Sequence, residues 1–363
     1  MKINVKLIIK STFVTLLSLS VNYLSFAQED EEDDSPLLIS GSVDTYYKYD
    51  FAGTSNIGTS FATAQNTIGL GMVNVIVSKT EGKVSFVGDI SIGGDRTGAA
   101  PSIAGDASIQ NLYASYALSD MISITGGFMG TFIGYEVISP ASNFNYSTSY
   151  LFSNGPFQNG GLKLDFSLSD NFAFMLGAFT GVWDTNSGLA GADEENSGLS
   201  GLGAQIYWMP TEGLDIYANL FAGSLNGEWD ITGGYQVSDE FYLGFNVASR
   251  FEKDGNDEDT FFGFALYPQY AFSETFSLGL RYENFANTGT ASSYLETADT
   301  SFTGTLDDLS VSTFTLTAQV SVGGLIFIPE VRLDSGSENL FLDSNGAFTD
   351  AATQGVLAVV YSF

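Results

Sequence analysis

The chain has 363 residues, of which 12 are basic and 42 are acidic, and its formal net charge is −30. A chain this acidic is a poor partner for nucleic acid, because binding nucleic acid needs a basic surface. The sequence contains neither His nor Cys, which excludes a Ser-His-Asp site, a His-ligated zinc or haem site, and disulfides.

The first 27 residues are predicted to be a secretory signal peptide. Lys2, Lys6 and Lys10 precede an apolar run that reaches Leu24, and the segment ends at Ala27. A signal peptidase recognises this order of a basic region, an apolar region and small residues. The alternative is an N-terminal membrane anchor, but Ser, Thr and Asn side chains interrupt the apolar run. Removing the segment leaves 9 basic and 42 acidic residues, a net charge of −33.

Residues 28–38 are expected to form an acidic tail before the first strand. The tail contains six consecutive acids from Glu29 to Asp34. Such a run is typical of a solvated, disordered segment, and a patch that binds a partner is the alternative.

From residue 39 to residue 363 the sequence predicts an all-β fold, an antiparallel up-and-down transmembrane barrel. Apolar and polar residues alternate in 162–167, 276–283 and 325–334, with the period of two that is typical of a strand. After residue 27 no apolar run reaches the roughly 18 residues that a membrane helix needs, so a spanning chain has to form a closed barrel. A soluble β-sandwich or solenoid would not explain rows of apolar residues suited to lipid.

The predicted connections between strands alternate between short turns and long loops, as in outer-membrane barrels. The short turns are Lys79–Gly82, Ser119–Asp120, Ser169–Asp170, Pro210–Gly213, Ser238–Glu240, Ser273–Glu274 and Gly323–Gly324. The long loops are 52–65, 94–107, 131–156, 184–198, 225–228, 252–259, 287–309 and 335–352. These connections predict about sixteen strands, with fourteen to eighteen allowed by uncertain boundaries, and place both termini at the periplasmic side.

The last predicted strand carries an apolar row that ends at the C-terminal residue. The row consists of Leu357, Val359, Tyr361 and Phe363. It resembles the C-terminal signature that the barrel-assembly machinery of the outer membrane reads. We therefore expect an integral protein of a bacterial outer membrane, with outer-membrane lipid and that machinery as partners. The strand is expected to pair with the first one, at 39–51.

Two segments carry the pattern of a known family. Residues 155–184 contain a Gly-Pro-Phe strand start, a Ser-Asp turn and a closing Gly-Val-Trp-Asp, and residues 41–51 contain Gly-Ser-Val-Asp before a Tyr-rich strand. Both segments resemble the OmpL-like β-barrel porins, and in architecture the resemblance covers most of the chain after the signal peptide. The resemblance implies a porin-like barrel without catalytic residues.

A barrel of about sixteen strands is too wide for side chains to fill and leaves an aqueous channel. Since a Lys or Arg that faces lipid at the midplane costs about 2–4 kcal/mol, the charged strand residues are predicted to line the pore. They are Asp44, Lys48, Asp50, Asp89, Lys163, Asp165, Asp215, Arg250, Arg281, Glu283, Glu330, Arg332 and Asp334. These eight acids and five bases either form pairs that solvate the wall, or favour cations through the acidic surplus.

The long loop at 131–156 is rich in aromatic residues and carries a single charge. Its notable residues are Phe132, Tyr135, Glu136, Phe144, Tyr146, Tyr150 and Phe152. A loop of this composition avoids water, so it either folds into the lumen as a constriction or belongs to strands that extend beyond the membrane. Aromatic faces also stack on sugars, which is compatible with a carbohydrate solute.

Two other loops are strongly acidic, 193–195 and 254–259. Clustered oxygens suit calcium, but the second loop lacks the complete spacing with a closing Glu at the twelfth position. Solvated loops that attract cations diffusely are therefore the default, and no metal site or cofactor is predicted.

The sequence favours passive diffusion of small hydrophilic solutes, cations preferred, through an outer-membrane porin. The alternative is a structural or adhesive barrel that has a blocked lumen and acts through its surface loops. An enzymatic barrel is disfavoured because the commonest general base, His, is missing. A homotrimer is an assembly that the sequence leaves open.

Overall fold

The computed structural model describes residues 36–100, 102–180, 201–223, 226–252, 260–288 and 309–363. Sixteen long antiparallel strands form one closed sheet, which confirms the predicted barrel. Their bounds are β1 Leu38–Asp50, β2 Thr67–Glu81, β3 Val84–Ile92, β4 Ala107–Ser119, β5 Ile122–Gly130, β6 Gln158–Ser169, β7 Phe172–Thr180, β8 Gly201–Thr211, β9 Leu214–Gly223, β10 Asn226–Gln236, β11 Phe241–Glu252, β12 Thr260–Ser273, β13 Phe276–Thr288, β14 Ser310–Val322, β15 Leu325–Gly336 and β16 Ala351–Ser362. The predicted signal peptide lies outside the described residues, as does the tail up to residue 35.

The barrel closes between its first and last strands. β16 pairs with β15 on one side and with β1 on the other, where Val43 lies opposite Tyr361. The terminal residue continues this pairing, because the amides and carbonyls of Gly41 and Phe363 exchange hydrogen bonds of 3.1 and 3.0 Å. Closure gives each of these sixteen described strands a partner on both sides, which is the condition for a sheet to cross lipid.

Side chains of the strands alternate between a buried inner row and an exposed outer row. In β1, Asp44 and Lys48 are buried, while Val43 is 38% exposed and Tyr47 is 40% exposed. The C-terminal row of β16 belongs to the outer face: Leu357 is 51% exposed. Exposed apolar rows of this kind form the lipid-facing band of a membrane barrel.

Short turns join the strands at one end of the barrel, and long loops join them at the other. The predicted positions agree with the described connections, with two corrections. β2 continues to Glu81 and β8 continues to Thr211, so the predicted turns Lys79–Gly82 and Pro210–Gly213 are both shorter than predicted. The predicted loop at 225–228 is wrong beyond residue 225, because β10 begins at Asn226. Its inner row of Glu228, Asp230 and Thr232 is polar, and this polarity makes the strand look like a loop in the sequence.

The remaining secondary structure lies in the long loops. The loop between β5 and β6 contains a 3₁₀ turn at Pro140–Ser142 and a short helix, α1, at Tyr150–Asn154. The last loop contains a small hairpin that pairs Phe341–Leu342 with Phe348–Thr349. Among the described residues, no helix has the length and apolar character needed to cross a membrane. The predicted loop at 184–198 falls outside the described residues, and so does nearly all of those at 252–259 and 287–309.

We predict that Gly41→Ala destabilises the seam of the barrel. An added methyl group would overlap the carbonyl oxygen of Asn74 and lie 2.8 Å from the Phe363 ring, and overpacking of this kind costs about 1–3 kcal/mol. The temperature at which the barrel loses its folded migration in an SDS gel should fall. Gly355→Ala is the matched control, because its methyl would have no neighbour closer than 3.9 Å. Equal temperatures for the two variants would contradict the prediction.

Candidate functional site in the barrel interior

The loop between β5 and β6, residues 131–157, folds into the barrel and is called the inserted loop below. Tyr146 is fully buried, and the whole segment 145–152 is buried as well. At one end of the loop, Phe132 stacks on Phe179 of β7 with ring centroids 5.4 Å apart. Further along, Tyr135 stacks on Tyr267 of β12 at 4.2 Å. The loop thus crosses the lumen from β7 on one side towards the wall formed by β12 to β16 and β1 on the other side.

Two wall carboxylates accept backbone amides of the inserted loop in consecutive pairs. Glu330 on β15 accepts the amides of Tyr146 and Ser147 at 2.9 and 3.1 Å. Glu283 on β13 accepts the amides of the next such pair, residues 150–151, at 3.0 and 2.8 Å. Both oxygens of each carboxylate are therefore used by the backbone of the loop.

Arginines donate to the carbonyl oxygens between those two pairs of amides. The acceptors are three consecutive residues, 146–148. Arg96 donates to the first at 2.8 Å, Arg281 to the second at 2.6 Å, and Arg332 to the third at 2.8 Å. Hydrogen bonds with a charged partner are stronger than neutral ones, about 1.5–3 kcal/mol each.

The buried arginines also have carboxylate partners. Arg281 contacts Glu136, the one charged residue of the inserted loop, at 2.6 Å. Arg332 contacts Asp334 at 2.7 Å, and Arg96 lies 3.8 Å from Asp44. Pairing is required here because an isolated charge buried in a protein is strongly destabilising.

Two tyrosines of the inserted loop donate to the same wall carboxylates. The Tyr146 hydroxyl donates to Asp44 at 2.5 Å, and the Tyr150 hydroxyl donates to Asp334 at 3.0 Å. Burial raises the pKa of both hydroxyls above the ordinary tyrosine value, so each stays protonated and acts as a donor.

Arg96 is the residue of this candidate site that the sequence did not reveal. It lies in the loop between β3 and β4, is fully buried, and has its guanidinium 4.8 Å from the ring centroids of both Phe61 and Tyr146. It also donates to the carbonyl of Ile138 at 2.8 Å. A single Arg in a polar loop belongs to no motif, so no pattern in the sequence singled it out.

The first and last long loops pack against the inserted loop. In the first loop, Phe61 contacts Phe152 with ring centroids 5.8 Å apart, and the Ser60 amide donates to Ser153 at 2.8 Å. Asn56 of the same loop exchanges hydrogen bonds of 2.8 and 3.0 Å with the backbone of Leu342 in the last loop. Three loops therefore interlock over the wall formed by β12 to β16 and β1.

All thirteen charged residues predicted to line the pore lie on inner rows, but they fall into two groups. Those near the interlocked loops are buried: Asp44, Lys48, Asp50, Arg281, Glu283, Glu330, Arg332 and Asp334. The other five lie on β3, β6, β9 and β11, where Asp89 is buried and the rest are half-buried: Asp89, Lys163, Asp165, Asp215 and Arg250. Whether either group contacts a passing solute stays a prediction.

The accessible part of the inner wall lies towards the end of the barrel that carries the short turns. Lys163 and Asp165 form an ion pair of 3.0 Å there, and each side chain is 19% exposed. Asp215 is half-buried and accepts a hydrogen bond of 2.7 Å from Tyr207. This half-buried polar wall is called the turn-side vestibule below. It contains charges that are not bound by the inserted loop.

No group of three or more acids in the described ranges is arranged to hold a metal ion. The two acidic loops named from the sequence, 193–195 and 254–259, lie outside those ranges. The described site is therefore built from charge pairs and backbone groups of the protein itself.

The family model described as "Putative beta-barrel porin-2, OmpL-like" matches residues 36–363. Among solved structures, the trimer form of OmpT from Vibrio cholerae is 12% identical with a TM-score of 0.58, covering 91% of this chain and 100% of that one. OprB of Pseudomonas putida is 11% identical with a TM-score of 0.56, and the coverages are 90% and 94%. OmpF of Salmonella typhi is 12% identical with a TM-score of 0.55, and the coverages are 93% and 100%. No curated protein matches this chain in sequence. At these identities the structural likeness shows a common barrel fold.

We predict that Arg96→Met loosens the inserted loop. Two buried carbonyls lose their donor, and each unsatisfied group costs about 1–3 kcal/mol. Chymotrypsin, which cuts after aromatic residues, should cleave the folded variant within 131–157 faster than the wild type. Lys83→Met is the control, because Lys83 is exposed in a short turn. Equally slow cleavage of all three proteins would contradict a role for Arg96 in holding the loop.

Proposed function

We propose that this chain, which belongs to the family of OmpL-like β-barrel porins, conducts small hydrophilic solutes across the outer membrane by passive diffusion. The observation that carries the proposal is a closed sixteen-strand barrel that has the inserted loop across its lumen and a half-buried polar wall beside it. In this proposal the inserted loop is the constriction. The short turns and both termini face the periplasm, and residues 1–27 direct export.

We further propose a weak preference for cations. The predicted acids next to the inserted loop are bound by cationic side chains and by hydrogen-bond donors of the protein, so we assign the selectivity to the turn-side vestibule. There Asp165 and Asp215 outnumber Lys163. A negative charge of the whole chain adds to this effect, because it raises the local concentration of cations at the channel mouths.

The remaining partners follow from the outer surface. The apolar outer row, including Leu357, Val359, Tyr361 and Phe363, suits outer-membrane lipid, and we propose that the assembly machinery reads its C-terminal part. We also propose a homotrimer, supported by the fold that the chain has in common with a protein described in a trimer form. We propose no enzymatic activity and no cofactor.

A second candidate function is a structural or adhesive barrel with a blocked lumen. The interlocked burial of the first, inserted and last loops favours it, because those loops fill the lumen against one wall. A planar-bilayer recording separates the candidates, since a blocked barrel gives no steady single-channel conductance.

We expect a deletion of residues 139–152 to raise the single-channel conductance. The deletion removes the part of the inserted loop that lies against β13 to β1, so the narrowest section widens. A deletion of residues 344–346, at the exposed tip of the last loop, is the control and should leave conductance unchanged. Unchanged conductance after the first deletion would reject the constriction.

We expect the reversal potential in a salt gradient to indicate a cation preference. Asp165→Asn and Asp215→Asn should each shift it towards zero, because each removes an accessible negative charge. Lys163→Met should shift it in the opposite direction, since Asp165 loses its cationic partner. An anion preference of the wild type would refute the proposed role of the acidic surplus.

A further inference from the structure

We infer that Glu283 and Glu330 set the width of the channel by anchoring the inserted loop, and that neither belongs to the charge filter. The inference rests on the proposed channel function. Both acids therefore position the inserted loop, although their place on the inner wall would suggest that they contact ions.

The geometry of the two anchors is the same. Each carboxylate accepts two consecutive amides, and the two amide pairs are four residues apart along the loop. The anchors stand on β13 and β15, with β14 between them. From β14, Thr317 donates to Glu330 at 2.8 Å and accepts from Asn145 at 2.7 Å. The segment 145–151 therefore lies flat against three adjacent strands.

The oxygens of the anchors have no room for a passing ion. Glu283 is fully buried and Glu330 is 3% exposed. Each of their four oxygens already accepts an amide at 3.1 Å or less. The charges of Arg281 and Arg332 lie between them. A cation that bound either carboxylate would have to displace backbone donors and pass two guanidinium groups.

The two anchors hold the loop through its backbone, whereas other wall residues bind its side chains. Segment 144–151 reads Phe-Asn-Tyr-Ser-Thr-Ser-Tyr-Leu and contains no charge, so a carboxylate on the wall can find only amides and hydroxyls there. Removing one anchor leaves two buried amides without an acceptor, which favours release of the segment towards water. A released loop leaves the wall and becomes mobile, and its departure widens the lumen.

Two substitutions of Glu330 separate the effect of its charge from the effect of its side-chain length. Glu330→Asp keeps the charge but withdraws the carboxylate by one methylene, whereas Glu330→Gln keeps the reach and removes the charge and one acceptor. If Glu330 is an anchor, both variants raise single-channel conductance, and the reversal potential shifts less than in Asp165→Asn. If Glu330 is a filter residue, the Asp variant resembles the wild type and the Gln variant loses cation selectivity at constant conductance, which would overturn the inference.

Glu283→Asp and Glu283→Gln repeat the test at the second anchor. Glu338→Gln, at an exposed position in the last loop, is the control.

A cross-link gives a second test. The chain has no Cys, so Asn145→Cys with Thr317→Cys places a single pair between the loop and β14. In the Glu330→Asp background, oxidation should restore the wild-type conductance and a reductant should reverse the effect. Conductance that ignores the redox state would also overturn the inference.

Chymotrypsin cleavage of the folded barrel provides a readout that does not need conduction. Anchor variants should be cleaved within 131–157 faster than the wild type, and Glu338→Gln should not. Cleavage at the wild-type rate would overturn the anchoring role, including for any variant pair too unstable to record. If the wild type conducts nothing but the anchor variants still expose the loop, the proposed channel function fails and the anchoring role stands.

Discussion

A buried, irregular backbone needs a partner for each of its polar groups, and this requirement governs the interior of the barrel. Within residues 146–151, charged side chains accept five amides and donate to three carbonyls. Strands satisfy such groups internally, but residues 146–149 are irregular, and Tyr150 and Leu151 begin α1, where the first amides of a helix have no intrahelical acceptor. Charged side chains, four of them on the wall and two in loops, therefore take the place of water around this backbone. Arg suits this role because its planar group donates in several directions while remaining charged.

The same requirement explains why some charges on the inner wall are bound by the loops while others stay accessible. Eight of the thirteen predicted pore-lining charges lie beside the interlocked loops, where amides, carbonyls and opposite charges bind them. The vestibule has fewer charges, but they are accessible. A count of acids and bases over the whole wall therefore overstates the charge that faces a solute. If the barrel conducts as proposed, the passage runs beside the interlocked loops and past the turn-side vestibule.

The sequence was sufficient for the fold because a strand with one face in lipid repeats every two residues, and because its ends carry turn residues. The same alternation placed every predicted charge on an inner row. The partners of those charges were beyond sequence reasoning. Ser147 and Glu330 are 183 residues apart, and a backbone amide has no signature in the sequence. Arg96 was missed for the same reason, since its acceptors are carbonyls. The misplaced loop at 225–228 shows the converse, a polar inner row mistaken for a connection.

Amide hydrogen exchange of the folded barrel in detergent tests the central claim most directly. If wall charges solvate the inserted loop, the amides of residues 146, 147 and 149–151 exchange as slowly as strand amides. The amide of Ser344, an exposed residue in the turn of the last loop, provides the fast reference in the same sample. Exchange of the loop amides at the rate of that turn would contradict the claim, because it would mean that water, and not the wall, satisfies the backbone.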